Sequence, residues 1–159
     1  MKDKFFLLIG IAIVVWAFYM FLQKPAPARY QVSTEATSTT SVVKVGEESI
    51  VVELADTDAE RILGLSGRES LESGHGLLFI FDAPGKYGIW MKDMNFPIDI
   101  VWVGENWQVV SVERLVNPDT YPNIFYPTEE AKYVLEIPAG ESSRLGIDTG
   151  STLYLESQK

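Results

Sequence analysis

Two carboxylates sit where a strand should be apolar. Asp99 lies in Ile98–Val103 (IDIVWV), and Glu136 lies between Leu135 and Ile137. A buried carboxylate must find donors or an opposite charge, or it keeps its proton to higher pH. The cations that could answer them are Arg61, Arg68 and Lys92. The functional expectation is an electropositive pocket. Arg68, Lys92, Asp99 and Glu136 would line it, Trp90 or Met91 would form its wall, and Asp99 would accept hydrogen bonds from Arg68 or Lys92. Asp99 and Arg68 are then the catalytic candidates. The structural alternative is an ion-pair cluster that pins loops to the sheet, because burial alone demands pairing.

Other chemistries are bounded more tightly. The chain has no cysteine, so thiolate metal sites, iron–sulfur clusters, disulfides and cysteine nucleophiles are excluded. Its single histidine, His75, lies in Ser-Gly-His-Gly and reads as an exposed loop residue without a nucleophile-elbow motif. A metal would need an oxygen-rich set, and no EF-hand spacing occurs. Neither a metal site nor a cofactor is expected.

The elements that must position these residues read mainly as strands. Val42–Val45 and Ser49–Ala55 flank a Gly46-Glu47-Glu48 turn. Gly76–Phe81, Tyr87–Lys92, Ile98–Val103, Trp107–Val116, Lys132–Ile137 and Thr152–Glu156 follow, rich in β-branched and aromatic residues. Alternation puts Ile98, Ile100 and Trp102 on one face and Asp99, Val101 and Val103 on the other; Glu136 shares the face of Val134. Thr57-Asp58-Ala59-Glu60 fits a capping box opening a short helix, with Ile62, Leu63 and Leu65 as its apolar face and Gly67 as its stop. A second short helix is expected over 140–145. The fold class is mainly β, a β-rich α+β domain: a compact barrel or a two-sheet sandwich with one or two short helices. Asn117–Pro127 (NPDTYPNIFYP) has too many prolines for a strand interior, and its aromatic residues suit sugar rings or a protein groove.

Ahead of this domain, Phe5–Leu22 is an 18-residue run without a charge. A helix of that length reaches about 27 Å, close to the hydrocarbon thickness of a bilayer. The run is longer than the apolar core of a cleaved signal peptide, so residues 1–23 are expected to be a single transmembrane anchor. Residues 24–41 (KPAPARYQVSTEATSTTS) cannot bury enough surface to fold and read as a flexible linker. Residues 42–159 form the globular domain. It carries nine Lys and Arg against 20 Asp and Glu, a net charge of about −11. Nucleic acid and anionic headgroups are poor partners for such a surface.

The motifs also come in a recognisable order. ERILGLSGRESL at 60–71, GLLFIF at 76–81, WMKDMNFPIDIVWV at 90–103, VLEIPAG at 134–140 and GIDTG at 146–150 together resemble the bacterial and archaeal family called domain of unknown function 192. The resemblance covers residues 42–159 and implies a small β-rich domain, commonly exported, with no established activity. The chain departs from the family pattern at several places. Ser66 and Leu77 stand where methionine is usual, Asp93-Met94 where asparagine-threonine is common, and Ser151 where an aspartate is frequent.

The resulting expectation is a membrane-anchored extracytoplasmic binding or accessory module, its partner an envelope glycan or envelope protein. The alternative is a hydrolase of an envelope polymer that uses Asp99 with Arg68. Geometry separates them, since an enzyme needs Asp99, Arg68 and Lys92 to converge on an open cleft.

Overall fold

The computed structural model describes residues 40–156. The expected anchor and most of the linker lie outside them. Among the described residues no helix is long and apolar enough to cross a membrane.

β1 (Thr40–Val45) and β2 (Glu48–Ala55) form the expected hairpin, with Gly46 at φ 57° in its turn. β1 starts two residues before the boundary that composition suggested. α1 (Asp58–Leu63) follows. Its capping box is present: Thr57 Oγ accepts from the Glu60 amide, and Glu60 Oε2 accepts from the Thr57 amide at 3.0 Å. The helix ends earlier than expected, at Gly64 (φ 53°) rather than Gly67. Its supposed apolar face is also not a packing face. Ile62 is 83% exposed and Leu63 61%, while Leu65, one residue past the cap, is buried.

β3 (His75–Gly85) runs parallel to β2 and lies at the centre of a seven-stranded sheet. The others are β5 (Ile98–Val103), β6 (Val109–Val116), β8 (Ala131–Pro138) and β9 (Leu153–Glu156), in the order β6-β5-β8-β3-β2-β1-β9. α2 (Glu141–Arg144) comes between β8 and β9. Every pairing except β2–β3 is antiparallel. A bridge between Gln108 and Thr152 brings the two edges together, so the sheet curls into a half-barrel. The expected strand at 87–92 is only β4 (Ile89–Trp90). It leaves the main sheet and pairs with β7 (Ile124–Phe125). The proline-rich segment thus supplies a two-residue strand.

Hydrophobic residues fall into two clusters, one on each side of the sheet. The inner cluster joins Val52, Leu78, Val101 and Leu135 to Val109 and Leu153, from both ends of the sheet. The outer cluster joins Leu77, Phe79, Ile100, Trp102 and Val134 to Leu65, Ile89 and Met91. The α1 loop and the β4–β7 ribbon are therefore the lid on the outer face. Burial on both faces accounts for the unalternating GLLFIF run.

The strands pack so closely beside Glu136 that Gly76 cannot carry a side chain. A Cβ there would lie 2.8 Å from the Glu136 carbonyl oxygen. Gly76→Ala is expected to cost about 1–3 kcal/mol, measured by urea unfolding. A change under about 0.5 kcal/mol would show that β8 yields freely at this point.

Candidate functional site

Directly opposed residues on neighbouring strands point to the same face. Glu53 opposes Leu77, Leu77 opposes Glu136, Glu136 opposes Ile100, and Ile100 opposes Glu113. This row lies on the outer face, so Glu136 points under the lid. Asp99 opposes Ile137 and points to the inner side. The two carboxylates that sequence grouped together are on opposite faces.

Asp99 is fully buried, and its carboxylate accepts four hydrogen bonds. Leu115 N donates to Oδ1 at 2.8 Å. Gly140 N at 3.0 Å, Ser142 N at 2.9 Å and Ser142 Oγ at 2.6 Å donate to Oδ2. These donors open α2 and hold a point in β6 where Leu115 takes φ 54°. Asp99 is thus an anchor for two loops, and neither Arg68 nor Lys92 is among its donors. This corrects the expectation that the three meet around one concavity. Arg68 instead grips Glu53 with both guanidinium nitrogens, at 2.5 and 2.9 Å. Lys92 is exposed, with Nζ 6.0 Å from the Trp90 ring centroid. Met91 is packed in the outer cluster, not in a wall.

Glu136 is different. It is 5% exposed, and no described residue donates a hydrogen bond to its carboxyl. It borders a cavity of about 70 Å³ beneath α1 and β4, walled by Phe79, Leu65, Trp90 and Met94. Burial pushes its pKa up to about 8, against a smaller downward pull from Arg68. The carboxyl is therefore mainly protonated at neutral pH and offers one donor and one acceptor.

The cavity adjoins a shallower cleft of about 390 Å³, and Arg61, Ile62, Phe79, Gly88, Ile89 and Trp90 border both. Arg61 is committed to the scaffold. It donates to the carbonyls of Asp56 (2.5 Å) and Ile80 (2.7 Å) and to Asp58 Oδ1 (2.6 Å). At the rim Trp90 is 49% exposed and meets Tyr121 edge-on, with centroids 6.1 Å apart. Ile62, Leu63, Ile124 and Tyr126 are also exposed. Gly88 admits the ribbon's close approach, since a Cβ there would lie 2.6 Å from Ile124 and Tyr126.

The loop after α1 and the segment 92–95 are tied together across this lid. Ser66 Oγ donates to the Lys92 carbonyl at 3.0 Å, the Gly67 amide to the Asp93 carbonyl at 2.8 Å, and Asn95 Nδ2 to the Arg68 carbonyl at 2.8 Å. The matched motifs are thus neighbours in space. The DUF192 family model, described as uncharacterized ACR, matches residues 41–155.

The chain belongs to the DUF192 family. Two crystal structures resemble this DUF192 domain. One, from Sinorhizobium meliloti 1021, is described provisionally as a transcription regulator. It is 27% identical with a TM-score of 0.70, over 75% of this chain and 95% of that one. The other, of unknown function, is from Novosphingobium aromaticivorans DSM 12444. It is 29% identical with a TM-score of 0.66, over 72% of this chain and 83% of that one. A comparison with curated proteins found no match.

Of the sequence-named candidates, Trp90 and Glu136 border the cavity, Arg68 acts on Glu136 through its field, and Met91, Lys92 and Asp99 do not line it. Sequence reading missed Glu53, the partner of Arg68, and the rim pair Ile62 and Leu63. The position of Glu53, two residues before Ala55 on one face of β2, was the available signal.

Proposed function

We propose that this DUF192 domain is a binding module for an envelope component, presented outside the cell by a single-pass anchor at residues 5–22, with its ligand seat in the Trp90 cleft. The observation that carries this reading is the half-exposed Trp90, set edge-on to Tyr121 above a cleft that deepens to Glu136, a buried residue whose carboxyl receives no hydrogen bond from the described residues. An exposed indole beside an open cleft offers a flat apolar face and a rigid edge, which suits a sugar ring. A glycan is preferred to a protein partner because the cleft deepens beneath the indole into a small cavity. The hydrolase reading loses its support, because Asp99 is sealed beneath the other face of the sheet. The transcription-regulator description of the S. meliloti structure is not carried over. A surface with a net charge of about −11 repels nucleic acid.

Trp90→Ala tests the reading. The variant is expected to lose at least about tenfold in affinity for purified envelope polysaccharide in a sedimentation assay, with unfolding free energy changed by less than about 1 kcal/mol. Undiminished binding by a folded variant would sink the proposed seat.

A further inference from the structure

We infer that the small cavity beneath Trp90 receives a neutral acetamido group carried on a sugar ring, with the Glu136 carboxyl as its hydrogen-bonding partner. The inference rests on the binding reading above and names the chemistry of its ligand. Size is the first ground. A water needs roughly 10–15 Å³ of such space, so about 70 Å³ admits roughly five to seven non-hydrogen atoms. That is too small for a sugar ring with its hydroxyls and accommodates the four of an acetamido group. The ring would remain in the outer cleft, on Trp90.

The walls are the second ground. Phe79, Leu65 and Met94 offer apolar contact for a methyl group. Glu136 is buried, borders the cavity, and receives no hydrogen bond from the described residues. Its oxygens are open to the cavity, since no sealed side-chain oxygen among the described residues lacks a partner, so a ligand or water can complete them there. An amide supplies both an N–H and a C=O, which match the acceptor and the donor of a protonated carboxyl.

Charge is the third ground, and it separates an amide from an ammonium ion. The groups around Glu136 are Arg68 with Glu53, Arg61 with Asp58, Lys92 above Trp90, and Glu113 two strands along the same row. Both arginines are already paired with carboxylates. The named charges balance, so a cationic ligand gains no counter-charge unless it strips the proton from Glu136. A neutral amide meets no such obstacle.

The test titrates the full-length chain, by tryptophan fluorescence, with three disaccharides: N,N′-diacetylchitobiose, the unacetylated glucosamine dimer and cellobiose. The acetylated sugar is expected to bind at least tenfold tighter than either of the others, and Glu136→Leu to erase that preference. Above pH 8 its affinity for the wild-type chain should fall, approaching about tenfold per pH unit, and Glu136→Gln should remove that fall. Equal binding of cellobiose would overturn the acetamido assignment and leave the glycan reading standing. Preference for the glucosamine dimer would overturn it in favour of an ammonium seat. If no sugar binds while the chain retains envelope polysaccharide through Trp90, the acetamido assignment fails alone. If that retention is also absent, both readings fail.

Discussion

Glu136→Gln should make the domain more stable at pH 9, by up to roughly 4–5 kcal/mol, and change it little at pH 5. The sign follows from where the proton is held. In the unfolded chain the carboxyl titrates near 4.5, and in the folded domain burial raises it to about 8. Below the lower value both states hold the proton and the group's stabilising contribution is complete. Between the two values the unfolded chain releases its proton while the folded domain keeps it, so stability declines as pH rises. Above about 8 the folded domain must ionise the group as well, and the loss is complete. A difference of about 3.5 units at about 1.36 kcal/mol per unit sets the magnitude. Arg68 cannot cancel this, because its guanidinium is already gripped by Glu53. Glutamine has the shape of the protonated acid and cannot ionise. Urea unfolding at pH 5, 7 and 9 gives the comparison. Parallel curves for the two proteins would mean that Glu136 is solvated in the folded state and that the cavity is wetter than its walls imply.

Asp99→Ala should destabilise the domain by roughly 5 kcal/mol at neutral pH. The substitution strands four donors, the amides of Leu115, Gly140 and Ser142 and the Ser142 hydroxyl. Each buried donor left without an acceptor costs about 1–3 kcal/mol, and bonds to a carboxylate are at the strong end. Total stability is only about 5–15 kcal/mol for such a domain, so a measurable unfolded fraction is expected at 37 °C. Asp99→Asn is the finer probe. Its single oxygen can face either Leu115 or the three donors at α2, never both, so an amide nitrogen must confront an N–H. An intermediate loss of about 2–4 kcal/mol is expected, and the folded fraction should still bind ligand, because Asp99 faces away from the cleft. Loss of binding at unchanged stability would reverse the assignment and restore Asp99 as a functional residue.

Much of this was legible in the residues themselves. The chain's membership in the DUF192 family could be read from motif order, and the mainly β class from β-branched runs and turn chemistry. The capping box at Thr57 and Glu60 is a local device, complete within four residues. The opposed faces of Ile98–Val103 follow from the pleat, which has a period of two wherever the strand lies. That Asp99 and Glu136 would be buried was equally plain.

Which of them would be satisfied was not. Each strand's alternation is local, but the relation between two strands is their register. Here Asp99 opposes Ile137 and Ile100 opposes Glu136, which sends the two carboxylates to opposite sides. A shift of one residue would have put them side by side. Donors for Asp99 arrive from Leu115, Gly140 and Ser142, and the partner of Arg68 is Glu53, 15 residues away. The same holds for Ile62 and Leu63, whose spacing promised a buried helix face. Whether an apolar stripe is covered depends on what folds over it, and the β4–β7 ribbon stops short of them. Composition and periodicity therefore determined the strand faces and the helix cap, but not which apolar stripe would be covered. Only the assembled sheet, through strand register and the placement of its lid, decided that Asp99 braces two loops while Glu136 is left facing a cavity.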